Sequence, residues 1–463
     1  MKLIIIGAGE TGFYIASEFS EDNFEVSLID EKPHRLRYIQ RSLNVAGILG
    51  NGTSLSVLEQ AGIDDADLVI ACTDHDETNL ICCLLASHYN VEHTIAVTRT
   101  ASFLRKKTIS RYIESGISQI INSSLVTAQE IVNTASLASA TEVSAFGEKN
   151  VLLVGYKVKR NSPWNGLALK NIRQQPGHDH FLIASIVREG KSFIPGGNDR
   201  IQEGDYVYLL TPRRIASELN DILNEKIYTN RRAVIAGETQ VAERVAIGLL
   251  KSHYAVTMIC RDELALSKIR KRLSSKKRFQ AVLGRCEKVK LQLRLDVSMA
   301  SLFIAATDND HQNISSGIVA RYLGAKKTIC MISRQDLIGP AEKNGIDVII
   351  SPRLSTARLV KKLIRGGGQA LNYTTISETD MEVIELIAEE GSSLLGKPLK
   401  EVKLPSGTLF GALLRNNSRV IIPNGDTVLE SGNKVVAVST PENVPKLKEL
   451  LEGQKHRKNE RNR

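Results

Sequence analysis

Residues 3–12 read L-I-I-I-G-A-G-E-T-G, and this stretch decides the fold of the first part of the chain. An apolar run of strand length leads into glycines with the spacing G-x-G-x-x-G. Gly7 permits a tight turn, Gly9 lets the backbone approach a pyrophosphate, and Gly12 lets the next helix pack close to the strand. Asp30 ends the next predicted strand, where its carboxylate can accept hydrogen bonds from both ribose hydroxyls. The pattern predicts a nucleotide site that favours NAD over NADP, because Asp30 would repel a 2′-phosphate.

Alternating strands and helices continue beyond this stretch. The apolar runs Val26–Ile29, Val45–Leu49, Leu68–Cys72 and Thr94–Thr98 read as further strands, and segments of helical pattern separate them. Strands joined in this way are typical of α/β folds with a parallel, doubly wound, Rossmann-like sheet.

A different pattern begins near residue 139. Predicted strands at Val151–Lys159, Leu182–Arg188 and Tyr206–Thr211 are separated by glycine-rich turns, and a helix is predicted at Pro212–Asn224. This part of the sequence reads as a small α+β domain.

The chain then repeats the whole scheme. Residues 67–79, D-L-V-I-A-C-T-D-H-D-E-T-N, are echoed by residues 301–313, S-L-F-I-A-A-T-D-N-D-H-Q-N. The offset of 234 residues is about half of the 463-residue chain, which indicates a duplicated pair of domains. We therefore predict a nucleotide-binding doubly wound domain at 1–138, a small α+β domain at 139–227, a second doubly wound domain at 228–368, a second small domain at 369–454 and a basic tail at 455–463.

Composition is that of a globular protein, with 42% hydrophobic and 24% charged residues. No apolar run approaches the roughly 20 residues of a membrane span, and Met1 leads into a predicted strand instead of a signal peptide. We expect a cytoplasmic location, peripheral on the inner face of the cell membrane only through a partner. The 6 cysteines form no C-x-x-C pair, which favours buried, reduced thiols.

The net charge of +10 is concentrated in two places. Residues 261–290 hold eleven Lys or Arg against three acids, and residues 455–463 hold five against one. Such runs are either solvated surface or contacts for anionic lipid, an acidic protein or nucleic acid. Phe279 is the one aromatic residue in these two stretches, so a platform for stacking bases is not supported and we expect no nucleic-acid partner.

Polar residues follow several predicted strands of the first doubly wound domain. Asn51 follows the third strand, Thr73 and Asp74 follow the fourth, and Arg99 follows the fifth. Ligands of open α/β sheets bind at these strand ends, and an arginine there could neutralise phosphate charge. Each residue is either a ligand contact or a cap of its own loop.

The glycine pattern is degraded in the second half. Gly237 remains, but Thr239 and Ala242 replace the other two glycines, and each adds a Cβ where a close approach is needed. Cys260 stands where Asp30 stands, so the ribose acceptor is lost. Part of the rim persists at residues 307–310, and we expect a structural or weakened site.

Catalytic and metal-binding patterns are weak. Tyr322 and Lys326 have the spacing of a Tyr/Lys catalytic pair, but they lie in the half with the degraded loop, so chance is the simpler interpretation. The 9 histidines make no pair at metal-ligand spacing. We expect neither a metal site nor enzymatic activity.

The motifs together resemble a known family. G-A-G-E-T-G at 7–12, G-N-G-T at 50–53 and A-D-L-V-I-A-C-T-D at 66–74 resemble the regulator of potassium conductance (RCK), or K⁺-transport nucleotide-binding, domain. L-P-S-G-T-L-F-G-A-L-L-R-N at 404–416 and I-P-N-G-D at 422–426 are similar to the C-terminal ligand domain of that family.

The resemblance implies a cytosolic subunit, responsive to NAD(H) or ATP/ADP, that docks on an integral membrane potassium transporter of the Trk type and gates it. Asn51 occupies a position that is usually acidic in the family, and the degraded loop puts a second nucleotide site in doubt. By position, the resemblance assigns the first site to Gly7, Ala8, Gly9, Glu10, Thr11, Gly12, Asp30, Thr73, Asp74 and Arg99.

Our hypothesis is a nucleotide-gated regulatory subunit that is pseudo-symmetric within one chain and forms a further closed homo-oligomer. The alternative is an NAD-dependent oxidoreductase, which turnover of NADH with carbonyl substrates would support. A third class is a nucleic-acid-binding regulator, which a steep salt dependence of DNA affinity would support.

Overall fold

The computed structural model describes residues 1–20, 24–137, 140–175, 180–216, 218–223, 231–365, 372–376, 381–415 and 419–452. The predicted domain boundaries after residues 138, 227 and 368 and the basic tail at 455–463 lie outside these ranges. The chain forms two compact units, one of Met1–Val132 with Asn230–Lys361, and the other of Asn133–Thr229 with Lys362–Arg463.

The first doubly wound domain is a six-stranded sheet with helices between its strands. Its elements are β1 (Lys2–Ile6), α1 (Glu10–Ser20), β2 (Glu25–Asp30), α2 (Pro33–Ser42), β3 (Ala46–Leu49), α3 (Leu55–Gln60), β4 (Leu68–Ala71), α4 (Asp76–His88), β5 (His93–Thr98), α5 (Lys106–Glu114), β6 (Gln119–Asn122) and α6 (Ser123–Ala135). The order β3-β2-β1-β4-β5-β6 and the parallel pairing confirm the predicted fold class.

The apolar sequence of β1 reflects its central place in this sheet. Leu3, Ile4 and Ile5 have no exposed surface, because helices cover both faces of a parallel sheet. The strand β6 was not predicted, since four residues at the sheet edge carry little periodicity.

The first small domain is antiparallel, in the order β10-β9-β11-β8-β7. Its elements are β7 (Ala140–Phe146), β8 (Val151–Lys157), α7 (Leu169–Arg173), β9 (Leu182–Arg188), β10 (Lys191–Phe193), β11 (Tyr206–Pro212) and α8 (Glu218–Ile222). The helix predicted at Pro212–Asn224 is shorter in the structure, because Pro212 still belongs to β11 and a 3-10 turn at Arg213–Ile215 precedes α8.

The second doubly wound domain repeats the topology of the first, in the order β14-β13-β12-β15-β16-β17. Its elements are β12 (Arg232–Ala236), α9 (Gln240–Lys251), β13 (Ala255–Cys260), α10 (Glu263–Leu273), β14 (Phe279–Leu283), α11 (Val289–Arg294), β15 (Leu302–Ala305), α12 (Asp310–Tyr322), β16 (Thr328–Met331), α13 (Ile338–Lys343), β17 (Val348–Ile350) and α14 (Pro352–Arg365).

The second small domain has the sheet order β18-β19-β22-β20-β21. Its elements are β18 (Asn372–Thr375), β19 (Glu382–Ile387), β20 (Thr408–Leu414), β21 (Val420–Ile421), β22 (Lys434–Ser439) and α15 (Val444–Leu451). No helix in the described ranges combines the length and the apolar character needed to cross a membrane.

Each compact unit contains one domain from each half of the chain. In the first unit, Lys361 of α14 pairs with Glu18 of α1. In the second unit, the backbone N–H of Gly147 donates to Glu385 at 2.9 Å. A shared apolar core there includes Phe146, Val151, Leu153, Leu210, Val383, Ala412, Val436 and Val438.

Candidate nucleotide site

The glycine loop, residues 7–12, connects β1 to α1 and packs tightly at Gly7 and Gly12. Gly7 has φ +110°, a left-handed conformation that favours glycine. A Cβ at Gly12 would lie 1.9 Å from the carbonyl oxygen of Gly7. At Gly9 the space is open, since the nearest atom to an added Cβ would be Nη1 of Arg35 at 4.0 Å. The loop therefore packs tightly behind Gly7 and Gly12 and leaves room for a ligand beside Gly9.

Asp30 fixes the loop from the end of β2. Its side chain is buried, and Oδ2 accepts a hydrogen bond from the N–H of Ala8 at 2.7 Å. Oδ1 accepts from the N–H of Lys32 at 2.8 Å. Because one carboxylate holds both neighbouring backbone segments, Asp30 sets the shape of the rim where a ribose would bind.

A chain of charged side chains continues along the rim. Arg35, on α2, lies 3.6 Å from Oδ2 of Asp30 and 3.9 Å from Oδ2 of Asp74. Asp74 accepts a 2.7 Å hydrogen bond from Arg99. Arg35 and Arg99 thus place positive charge beside the carboxylates of Asp30 and Asp74. Arg35 was not predicted as a site residue, because it lies in the first turn of α2 and not at the end of a strand.

The side chains of Thr73 and Asn51 make hydrogen bonds near their own positions in the chain and not toward the cavity. Thr73 Oγ1 donates to Oδ1 of Asn79 at 2.6 Å, and Asn79 donates in turn to the carbonyl of Val97 at 2.7 Å. Asn51 Oδ1 accepts from both the N–H and the hydroxyl of Thr53. Neither Thr73 nor Asn51 lines the cavity described below.

Two further buried residues hold the strand ends in register, and sequence analysis did not identify them. Asp76 accepts from the N–H groups of Arg99 and Thr100, and Asn79 bridges the ends of β4 and β5. The signal was the motif T-D-x-D-x-x-N, which occurs at 73–79 and again at 307–313. In the second occurrence, Asn313 makes the same contacts with Thr307 and Met331.

A cavity of about 1020 Å³, which we call the first cavity, opens at the glycine loop. The first domain contributes Ala8, Gly9, Glu10, Thr11, Phe13, Tyr14, His34, Arg35, Tyr38, Ile39, Cys72, Asp74 and Arg99. The second doubly wound domain contributes Arg334, Gln335, Asp336 and Arg353. This contribution could not be predicted, because it depends on how the two domains pack.

The chemistry of the first cavity fits a nucleotide. The N-terminus of α1 offers amide N–H groups and the positive end of the helix dipole to phosphates. Open space beside Gly9 would take a pyrophosphate, and the Asp30 carboxylate lies directly behind the loop, bonded to the N–H of Ala8. The volume lies at the upper end of the range of about 300–1,000 Å³ that is typical of small-molecule sites.

In the equivalent loop of the second doubly wound domain, a threonine side chain caps the following helix. Thr239 Oγ1 accepts from the N–H of Ala242 at 3.1 Å and donates to the carbonyl of Ala306 at 2.7 Å. The hydroxyl thus caps α9 where Gly9 leaves space beside α1. The cavity beside it has a volume of about 330 Å³.

The remaining candidate residues from the sequence, Cys260, Tyr322 and Lys326, do not line either cavity. Cys260 ends β13 as Asp30 ends β2, and burial raises the pKa of its thiol to about 11. Tyr322 is 88% exposed at the end of α12, and neither Tyr322 nor Lys326 lines the cavity of about 330 Å³ beside Thr239. The described residues hold no cluster of three or more His, Cys, Asp or Glu side chains at metal-binding distances.

Comparison with known proteins assigns the family. The TrkA-N domain model matches residues 3–123 and 233–352, and the TrkA-C domain model matches residues 153–224 and 383–452. The chain belongs to the TrkA family. The two pairs of matches follow the duplication that the sequence indicated, and the resemblance to tandem potassium-regulating domains is confirmed.

Curated relatives align along nearly their whole length. The Trk system potassium uptake protein TrkA of Azorhizobium caulinodans is 29% identical over 464 residues, which cover 97% of this chain and 98% of the relative. The protein of the same name from Vibrio alginolyticus is 29% identical, with 94% and 95% covered. That of Haemophilus influenzae is 28% identical, with 98% and 99% covered.

Solved structures show the same fold. The GsuK channel has a TM-score of 0.63 at 16% identity, with 97% of this chain and 78% of that chain covered. The crystal structure of the GsuK RCK domain has a TM-score of 0.60 at 15% identity, with 97% and 94% covered.

Proposed function

We propose that this chain is a cytosolic, non-catalytic subunit that binds a nucleotide in the first doubly wound domain and gates a membrane potassium uptake transporter. The observation that carries the proposal is the first cavity, which the glycine loop and the N-terminus of α1 line. Asp30 does not line the cavity, but it holds the loop in place through the N–H of Ala8. Relatives that align along nearly the whole chain are named Trk system potassium uptake proteins, which supports potassium transport as the process.

The ligand is NAD(H) or an adenine nucleotide such as ATP or ADP. Asp30 accounts for recognition of unmodified ribose, and the two rim arginines, Arg35 and Arg99, offset the charge of the phosphates. A structurally similar GsuK channel is described as bound to NAD, which makes NADH a suitable first probe.

Gating follows from the way the cavity is built. Because the second doubly wound domain contributes to its wall, a bound nucleotide contacts both domains and biases their arrangement. Coupling free energies between sites are typically about 1–3 kcal/mol, which corresponds to a roughly 5- to 150-fold change in an equilibrium. A transporter attached to these domains would change its open population accordingly.

The experiment that tests the function is complementation of a deletion strain. We expect deletion of the gene to impair growth at low external potassium, and the unmodified gene to restore it. Gly9→Asp should fail to restore growth, because it places a side chain and a negative charge where the pyrophosphate would lie.

The matched control is Thr239→Asp, which places the same charge at the equivalent position of the second doubly wound domain. Copurification of the protein with an integral membrane potassium transporter is the companion measurement. Normal potassium uptake in both the deletion strain and the Gly9→Asp strain would refute the function, and steady turnover of NADH with a carbonyl substrate would favour an oxidoreductase.

A further inference from the structure

Arg353 reaches the first nucleotide site from the other half of the chain. It is the second residue of α14, and its guanidinium forms an ion pair with Glu10, the first residue of α1. Both residues line the first cavity. The contact therefore joins the second doubly wound domain to the helix N-terminus at which phosphates are expected.

The Glu10 carboxylate and a bound phosphate would both be stabilised by the positive N-terminal end of α1, so they would compete for this position. A carboxylate in the first turn of a helix is stabilised by the helix dipole, and a phosphate bound at a helix N-terminus is stabilised by the same field. Two anions at this place repel each other. A phosphate bound beside Gly9 would therefore raise the free energy of the Glu10 carboxylate, unless Glu10 moves away.

Arg353 requires an anionic partner. Its side chain is 31% exposed, and burial lowers the pKa of the guanidinium, which means that the surroundings disfavour the isolated charge. A phosphate satisfies a guanidinium at least as well as a carboxylate, through paired hydrogen bonds.

The geometry points to an exchange of partners: a phosphate group of the bound nucleotide replaces Glu10 as the partner of Arg353, so that α14 of the second half completes the site of the first half. The inference rests on nucleotide binding in the first cavity, which is part of the proposed function. It identifies the contact through which binding changes the packing of the two doubly wound domains.

Of the two doubly wound domains, only the first has the charged residues that this exchange needs. The first residue of α9 is Gln240, where α1 has Glu10, and the second residue of α6 is Ser124, where α14 has Arg353. Neither Gln240 nor Ser124 carries a charge, so the second doubly wound domain cannot make an equivalent exchange.

Calorimetric titration of the full-length protein with NADH and with ATP tests the exchange. We expect Arg353→Ala to weaken binding roughly 10- to 150-fold, the range for loss of a charge-assisted hydrogen bond. Glu10→Gln should tighten binding about 3- to 10-fold, because it removes the competing carboxylate while keeping the shape of the side chain. This gain should shrink in the double variant, since Arg353 is then absent.

Two controls separate the exchange from simple packing. Lys361→Ala removes an ion pair between the same two helices, outside the first cavity, and should leave nucleotide affinity unchanged. Adenosine, which has no phosphate, should bind equally to the unmodified protein and to Glu10→Gln. A second readout is hydrogen exchange at the start of α14, which NADH should alter in the unmodified protein and not in Arg353→Ala.

The outcomes are distinct. If the unmodified protein binds NADH or ATP and both Arg353→Ala and Glu10→Gln bind with unchanged affinity, the exchange is wrong and the pair only holds the domains together. If Arg353→Ala does not fold, Glu10→Gln and Arg353→Lys carry the same test. If the unmodified protein binds neither nucleotide, the proposed function and this inference both fail.

Discussion

Lys361 donates a 2.5 Å hydrogen bond to Glu18, although 343 positions separate the two residues in the chain. The contact places α14, the last helix of the second doubly wound domain, against α1 of the first. The equivalent contact between α6 of the first domain and α9 of the second is apolar. Val132 of α6 packs so close to Gly248 of α9 that a Cβ added at Gly248 would lie 2.7 Å from it. The last helix of each doubly wound domain therefore packs against the first helix of the other. A fragment of half the chain would expose the surfaces that these helices cover.

The ion pair between Lys361 and Glu18 is expected to stabilise this arrangement. Lys361 is buried and Glu18 is 35% exposed, so Lys361→Ala leaves a partly desolvated carboxylate. We expect a loss of about 1–3 kcal/mol in the free energy of unfolding, which chemical denaturation measures. The control is Lys400→Ala, whose pair with Asp426 is exposed and should contribute less than about 1 kcal/mol. Equal stability of the two variants would contradict the assignment.

Asp30 is expected to determine nucleotide affinity. Asp30→Ala removes the ribose acceptor and the partner of the Ala8 N–H, and it should weaken NADH binding by about 1–3 kcal/mol. Calorimetry on the full-length protein measures this effect. Cys260→Ala, at the equivalent position of the second doubly wound domain, should leave the affinity unchanged. An unaltered dissociation constant for Asp30→Ala would remove Asp30 from the site.

Sequence periodicity was sufficient for the doubly wound fold and for the position of the glycine loop. Buried parallel strands such as β1 are long apolar runs, and the glycine spacing follows from the close approach of Gly12 to Gly7. Short edge strands such as β6 and β10 were missed, because three or four residues carry no clear period.

Long-range packing explains what the sequence did not reveal about the site. Arg353 lies in an ordinary amphipathic helix, and nothing in its neighbours along the chain indicates that it pairs with Glu10. Asp76 is different, since Asp310 of the second half accepts from the N–H groups of Ser333 and Arg334 just as Asp76 accepts from those of Arg99 and Thr100. Aligning the two halves residue by residue could have identified Asp76, but not Arg35, because Ala265 stands at the position of Arg35.

The buried cysteines are expected to resist alkylation in the folded protein. All 6 are free and buried, as predicted. Cys82 has no exposed surface and does not line the first cavity, and burial raises the pKa of its thiol from 9.0 to about 12. At about pH 8 its thiolate fraction is therefore roughly 1,000-fold lower than that of an exposed thiol, and iodoacetamide should react only after unfolding.

The same shift gives a pH dependence of stability. Below about pH 9 the thiols are neutral in both the folded and the unfolded chain, so their contribution to stability is fully present. As the pH rises from 9.0 toward 12, the unfolded chain loses thiol protons that the folded protein retains, and stability falls. Rapid labelling of folded protein at neutral pH would contradict the burial.

The basic segment 261–290 is expected to face an anionic surface, either the membrane or an acidic partner. Lys276, Lys277 and Arg278 are exposed between α10 and β14. Each Lys or Arg near an anionic membrane contributes about 1 kcal/mol. Neutralising all three should weaken association with transporter-containing vesicles at low salt, with a smaller difference at high salt. Equal association of both proteins at both salt concentrations would identify the segment as solvated surface.

A single substitution, Gly9→Thr, should give the first doubly wound domain the helix cap that Thr239 provides in the second. Gly9→Thr should place a hydroxyl where Thr239 caps α9, and the open space beside Gly9 accommodates the added atoms. An N-cap contributes about 0.5–2 kcal/mol, so the variant should fold with unchanged or higher stability. The added side chain should nevertheless occupy the phosphate position and weaken NADH binding at least about 10-fold.

Thermal unfolding and calorimetry on the same Gly9→Thr sample separate these two effects. Thr239→Gly, the reverse change, should lower stability without changing NADH affinity, because Cys260 still takes the place of the ribose acceptor. Undiminished NADH binding by Gly9→Thr would mean that the nucleotide phosphates do not lie at the N-terminus of α1. Tight binding gained by Thr239→Gly would instead show that the cap alone, and not the loss of the acid, closes the second site.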